Sequence, residues 1–213
     1  NKMMKKSKRS DVDPFIVMDV MESARIAEEK GKDIIHMEVG QPGTPAPKIA
    51  KDYITNEINK NNLGYTVSLG LPALRAKISK LYGDWYNLDL NPNRIVVTTG
   101  SSGAFILSFS ALFDSGDRVG IGSPSYPSYR QILKSLSLET VDIQTKLQNR
   151  FQPIPDDITN NNLNGILVAS PANPTGSMLD KQSLENLINT ANENNVSFIS
   201  DEIYHGIQYE NNP

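Results

Sequence analysis

The sequence has no cysteine, which excludes a disulfide framework, a thiol nucleophile and a cysteine-based metal centre. Histidine is almost as scarce. His36 and His205 are the only imidazoles, they lie far apart, and they lack metal-ligand spacing, so no metal site is expected. Long apolar runs are missing too, so no bilayer-spanning helix is expected. The basic start from Lys2 to Arg9 is followed by Asp11, Val12 and Asp13, where a signal peptide would need an apolar stretch, and it reads as a solvated arm. Charge of one sign is not in excess. Lys and Arg number 21 against 24 Asp and Glu, a net charge of -3, so neither nucleic acid nor an anionic membrane is an expected partner. A reducing cytoplasm is the expected setting, and small molecules are the expected partners.

What is present is a chain of 213 residues with 38% hydrophobic content, enough for a sizeable core and, by length, one domain plus part of another. Asp13 and Pro14 read as an N-cap followed by a proline at the first helical position. Phe15, Met18, Met21 and Ile26 continue that helix at near-helical spacing up to Gly31. Residues 34–39 form a strand-like run that stops at the Gly/Pro-rich loop 40–47. Helices are expected at 48–59, 71–86, 102–113, 126–136 and 180–194, and strands at 94–98, 119–122, 139–143, 166–170 and 197–201. Strands alternating with helices imply an α/β fold with a largely parallel sheet covered on both faces, whose ligands sit beyond the carboxyl ends of the strands. The polar stretch 145–164, with Asn160, Asn161 and Asn162, reads as a long surface excursion.

Several short segments at those strand ends can carry chemistry. The run 94–99 leads through Gly100, Ser101, Ser102 and Gly103 into an apolar helix, placing small residues and backbone N–H groups where a phosphate can bind. An ordinary turn with a serine N-cap has the same pattern. Ser123-Pro124-Ser125-Tyr126-Pro127 presents Tyr126 at the same edge, either to stack on a planar ligand or to pack under a proline turn. Asn173, within Ser170-Pro171-Ala172-Asn173-Pro174-Thr175-Gly176, has two neighbouring X–Pro bonds that can be cis. It can donate to a phenolate oxygen and to a carboxylate, or simply form an Asn-Pro turn. Strand 197–201 delivers Asp201 and Glu202, which extended chain points to opposite faces. One carboxylate can therefore face a site, where it would hold the proton on a pyridine nitrogen. Tyr204 follows within reach of the same ligand. The competing readings here are an N-capping aspartate and a core tyrosine with its hydroxyl at the surface.

Taken in order, Gly40-Gln41-Pro42, Tyr65-Thr66, Gly70 to Arg75, Gly100 to Gly103, Ser123 to Pro127, Asn173-Pro174-Thr175-Gly176 and Asp201-Glu202-Ile203-Tyr204 closely resemble the class I/II aminotransferases, the aspartate aminotransferase-like enzymes of pyridoxal 5'-phosphate (PLP) fold type I. The resemblance runs from about Asp13 to the end of the sequence. It implies a three-layer α/β/α PLP fold type I large domain with a mostly parallel sheet, incomplete, at 47–213. It also implies an N-terminal arm with part of a small domain at 1–46. Carried over residue by residue, it implies that Ser101, Ser102 and Gly103 hold the PLP phosphate and that Tyr126 stacks on the ring. Asn173 and Tyr204 would bind the phenolic oxygen and Asp201 the ring nitrogen. Asp201, Tyr126 and Tyr204 are thereby the candidate catalytic residues, while Gly40 and Asn173 would meet the substrate. Tyr65 would reach the phosphate of the neighbouring subunit of a homodimer. The activity implied is transfer of an amino group from an amino acid to a 2-oxo acid. The same cradle also serves beta-eliminating C–S lyases and non-catalytic PLP-binding regulatory domains. The family's Schiff-base lysine sits in a Ser-x-Ser-Lys turn downstream of the Asp-x-x-Tyr segment, and the sequence reaches Pro213 before such a turn. Lys134, Lys146 and Lys181 do not have that setting. The chain is therefore expected to be the front portion of an aminotransferase, without turnover of its own.

Overall fold

A computed structural model describes residues 4–207 and 209. The chain groups into two compact units, residues 16–98 and residues 1–15 together with 99–213.

The unit 16–98 holds α1 (Ile16–Glu29), α2 (Lys48–Ile58) and α3 (Pro72–Tyr86). Pro72 at the first turn of α3 and Asn87 in the left-handed region at its end account for both boundaries. Arg75 ties α3 to the segment that follows it. Its Nε donates to the carbonyls of Pro92 and Ile95, both at 3.0 Å, and its Nη2 donates to Pro92 O at 2.7 Å and Asn93 Oδ1 at 3.0 Å. The two strands expected in this unit do not form. Residues 34–39 and 95–98 are extended or irregular, and the latter is held by a bond from Val97 N–H to Leu69 O at 3.0 Å. An apolar run becomes a strand only beside a partner, and neither run has one among the described residues. The helix expected to start at Asp13 starts instead at Ile16, and the Gln131 side chain donates to the Asp13 carbonyl at 3.2 Å.

The other unit is built on four parallel strands, β1 (Arg118–Ser123), β2 (Glu139–Gln144), β3 (Gly165–Ala169) and β4 (Ser197–Asp201), in the order β2-β1-β3-β4. The helices are α4 (Gly100–Leu112), α5 (Ser128–Ser135), α6 (Pro155–Thr159) and α7 (Lys181–Glu193). Side-chain alternation along the strands splits the core in two. On one face Val119, Ile121 and Leu167 pack with Phe105, Phe109, Tyr129 and Leu133 of α4 and α5. On the other, Ile143, Ile166 and Val168 pack with Ile158, Leu187 and Ala191 of α6 and α7. The result is a three-layer α/β/α arrangement. The stretch 145–164 is more than a surface excursion. It contains α6, and Gln152, Ile158 and Leu163 are buried. Gln152 Nε2 donates to Ala169 O at 3.0 Å and Ser177 O at 3.1 Å, so the segment seals one sheet face despite its polar average. At Gly165 an added Cβ would lie 2.2 Å from Phe113 Cζ, so only glycine lets that ring lie against the start of β3. Among the described residues, no helix is long and apolar enough to cross a membrane.

Candidate functional site

The strand order reverses at β1. The chain leaves it through α5 to reach β2 on one side and returns through α6 to β3 on the other. At such a switch point the connections diverge and leave a crevice beyond the strand carboxyl ends. The segments after β1 and β3 and the end of β4 therefore share one edge, and the expected residues 126, 173, 201 and 204 are on those segments.

α4 begins at Gly100, two residues earlier than expected, with Gly100 at φ +73°, a turn that favours glycine. Ser101, Ser102 and Gly103 thus occupy the first helical turn. Backbone N–H groups there have no intrahelical acceptor, the Thr99 side chain does not cap them, and the helix dipole favours an anion.

Tyr126 precedes α5 and is half-buried. Its ring meets Phe15 edge-on, with centroids 5.8 Å apart at 85°, and Tyr129 at 5.6 Å and 78°. These contacts fix the ring plane. One residue earlier, the Ser125 hydroxyl is buried and has no hydrogen-bond partner among the described residues. A hydroxyl excluded from water and left unpaired is costly, and it fits a site completed by a polar ligand.

Asp201 ends β4 opposite Ala169 and is buried, whereas Glu202 is exposed, the split that strand alternation dictates. The Asp201 carboxylate is not an N-cap. Its Oδ2 accepts from the Tyr129 hydroxyl and its Oδ1 from Ile203 N–H at 3.1 Å. Burial, and then the hydrogen bond to Asp201, push the Tyr129 phenol well above its ordinary pKa, so it stays a neutral donor at any physiological pH. Asn173 Nδ2 lies 3.4 Å from the Tyr204 hydroxyl, and both residues line a cavity of about 450 Å³ with Arg150, Pro171 and Ile207. The bonds Ser123–Pro124, Ser170–Pro171 and Asn173–Pro174 are cis.

Gly40 and Tyr65 belong to the other compact unit. Both are exposed, Tyr65 fully so. His36 is paired with Glu38 and Glu28, at 2.6 and 2.9 Å. Among the described residues, no three or more His, Cys, Asp or Glu gather as a metal site would require.

Sequence reasoning assigned no role to Tyr129, Ser125 or Arg150. The spacing Tyr126-x-x-Tyr129 was the available signal for the first. Tyr126 lies just before α5, and a turn bond from Tyr129 N–H to Tyr126 O at 3.3 Å sets the two rings side by side.

A family model for aminotransferase class I and II matches residues 32–212. The valine–pyruvate aminotransferase of Mycobacterium tuberculosis is 41% identical over 96% of this chain and 53% of its own length. The aspartate aminotransferase of Thermotoga maritima is 33% identical over 90% of this chain and 52% of its own. Among solved structures, an aminotransferase from Mycobacterium tuberculosis superposes with a TM-score of 0.94 at 39% identity, over 99% of this chain and 55% of that one. A candidate aminotransferase from Silicibacter pomeroyi gives 0.87 at 58% identity, over 97% and 53%. The chain spans about half the length of the curated relatives it matches. Its parallel sheet, covered on both faces, is the corresponding part of the PLP fold type I large domain. With the family model matched through all four strands of the described residues, this chain belongs to the class I and II aminotransferases.

Proposed function

We propose that this chain supplies most of the cradle for pyridoxal 5'-phosphate in an enzyme that transfers an amino group from an α-amino acid to a 2-oxo acid. The observation that carries this reading is the buried Asp201 carboxylate at the sheet's carboxyl edge. It accepts one hydrogen bond on each oxygen and keeps lone pairs for a further donor. The orphaned Ser125 hydroxyl supports a polar ligand at the same edge.

In this reading Ser101, Ser102 and Gly103 bind the phosphate through the first turn of α4, and the Tyr126 ring stacks on the pyridine face. Asn173 and Tyr204 donate to the phenolic oxygen, and Asp201 holds the proton on the ring nitrogen. When bound, the cofactor supplies an electron sink for negative charge at the substrate's α carbon. Asn173 also has an amide donor to offer a substrate carboxylate. Gly40 would lie in the substrate loop, and Tyr65 would serve the neighbouring subunit of a homodimer. The support for both is the family resemblance, and for Tyr65 also its exposed ring.

Titrating the chain with PLP, followed by absorbance and equilibrium dialysis, tests the reading. Saturation at one PLP per chain is expected, with about 3- to 10-fold weaker binding for Tyr126→Ala, the loss of one aromatic stacking contact. Binding without saturation, or no change in Tyr126→Ala, would contradict it.

A further inference from the structure

We infer that Tyr129 is a positioning residue for the cofactor's ring nitrogen, acting by fixing the Asp201 carboxylate through a buried hydrogen bond. The inference rests on the functional reading above and adds to it a residue that does not itself touch the ligand. Tyr129 and Asp201 come from α5 and β4 and are distant in sequence, yet both are buried and the phenol donates to Oδ2. With Ile203 N–H on Oδ1 at 3.1 Å, the carboxylate is held from both oxygens. It cannot rotate without breaking a bond, and its remaining lone pairs have a fixed direction.

The Tyr129 ring is itself immobilised. It meets Phe105 edge-on at 5.3 Å and 83°, and Tyr126 at 5.6 Å and 78°. One side chain thereby links the orientation of the stacking tyrosine to that of the acid. Because the phenol's pKa is raised by burial and by its carboxylate partner, the proton stays on the tyrosine and the hydrogen bond keeps one direction. A tyrosine that merely filled the core would need a partner for its hydroxyl, but that partner need not be the carboxylate that serves the ligand.

Tyr129→Phe removes one oxygen and retains the ring contacts. The test compares the affinities of wild type and Tyr129→Phe for PLP and for its 1-deaza analogue, which carries carbon in place of the ring nitrogen and offers Asp201 no proton. The expected result is about 10-fold weaker PLP binding in the variant, the scale of a hydrogen bond to a charged group, with analogue binding within about 2-fold of wild type. Equal losses for both ligands would show a structural role and overturn the inference, as would unchanged PLP binding. Absence of saturable PLP binding by wild type would instead overturn the functional reading and the inference with it. Should Tyr129→Phe not fold, fluorotyrosines at position 129 keep the shape and alter the phenol's acidity. The PLP-to-analogue affinity ratio must then follow that acidity, and a constant ratio would overturn the inference.

Discussion

Replacing Ser125 by alanine should stabilise the free chain and weaken the liganded one. The Ser125 hydroxyl is buried without a partner, and an unsatisfied buried polar group costs about 1–3 kcal/mol. Its removal should therefore raise the stability of the free chain by about 1 kcal/mol, which for a protein of this size is a melting-point increase of about 2–4 °C. If the hydroxyl donates to the ligand, the same substitution forfeits a hydrogen bond and weakens PLP binding by up to about 10-fold. At a PLP concentration of about 100 times the wild-type Kd, ligand stabilises wild type by about 2.7 kcal/mol and the variant, at about 10 times its own Kd, by about 1.4 kcal/mol. The advantage gained without ligand is then cancelled. Circular dichroism melts with and without PLP check this. The variant should melt above wild type alone and together with it at saturating PLP. A variant that melts lower without ligand would refute the claim that the hydroxyl is orphaned, and an advantage undiminished by PLP would refute its service to the ligand.

Gly165→Ala should lower stability by about 1–3 kcal/mol, as overpacking does, because its Cβ would meet the Phe113 ring at 2.2 and 2.5 Å. Urea unfolding should recover part of the loss when Phe113→Leu is added. His36 should titrate near pH 9 in an NMR experiment, since Glu38 and then Glu28 raise its pKa from 6.5 to about 9, and Glu38→Gln should bring the midpoint down. Because the folded pKa is the higher one, its stabilising contribution is complete below about pH 6.5 and is lost as pH rises through about 9.

The four strands of the sheet and the helices α4, α5 and α7 were legible because each carries its own periodicity and its own stop. Strand alternation also indicated that only one of Asp201 and Glu202 can face a site, and the family resemblance pointed to Asp201. What failed depended on partners. Residues 34–39 and 94–98 have strand composition, but pairing is a property of the neighbour, and the chain places none beside them among the described residues. The stretch 145–164 was misread by its average polarity, although Ile154 and Ile158 are four residues apart, the spacing a short helix needs, and Leu163 is buried beyond it. Tyr129 was illegible for another reason. At its position in α5 it has the signature of a core residue, which it is, and its second role appears only when β4 brings Asp201 to its hydroxyl.

The central proposal is a cradle at one sheet edge in which Asp201 would face the ring nitrogen. A crystal structure of the chain grown with PLP tests it most directly. The account predicts the ring nitrogen within about 2.7–3.2 Å of the Asp201 carboxylate, the Tyr126 ring against the pyridine face, and the phosphate on the backbone N–H groups at the start of α4. Density for PLP elsewhere, or a phosphate away from Ser101 to Gly103, would contradict it.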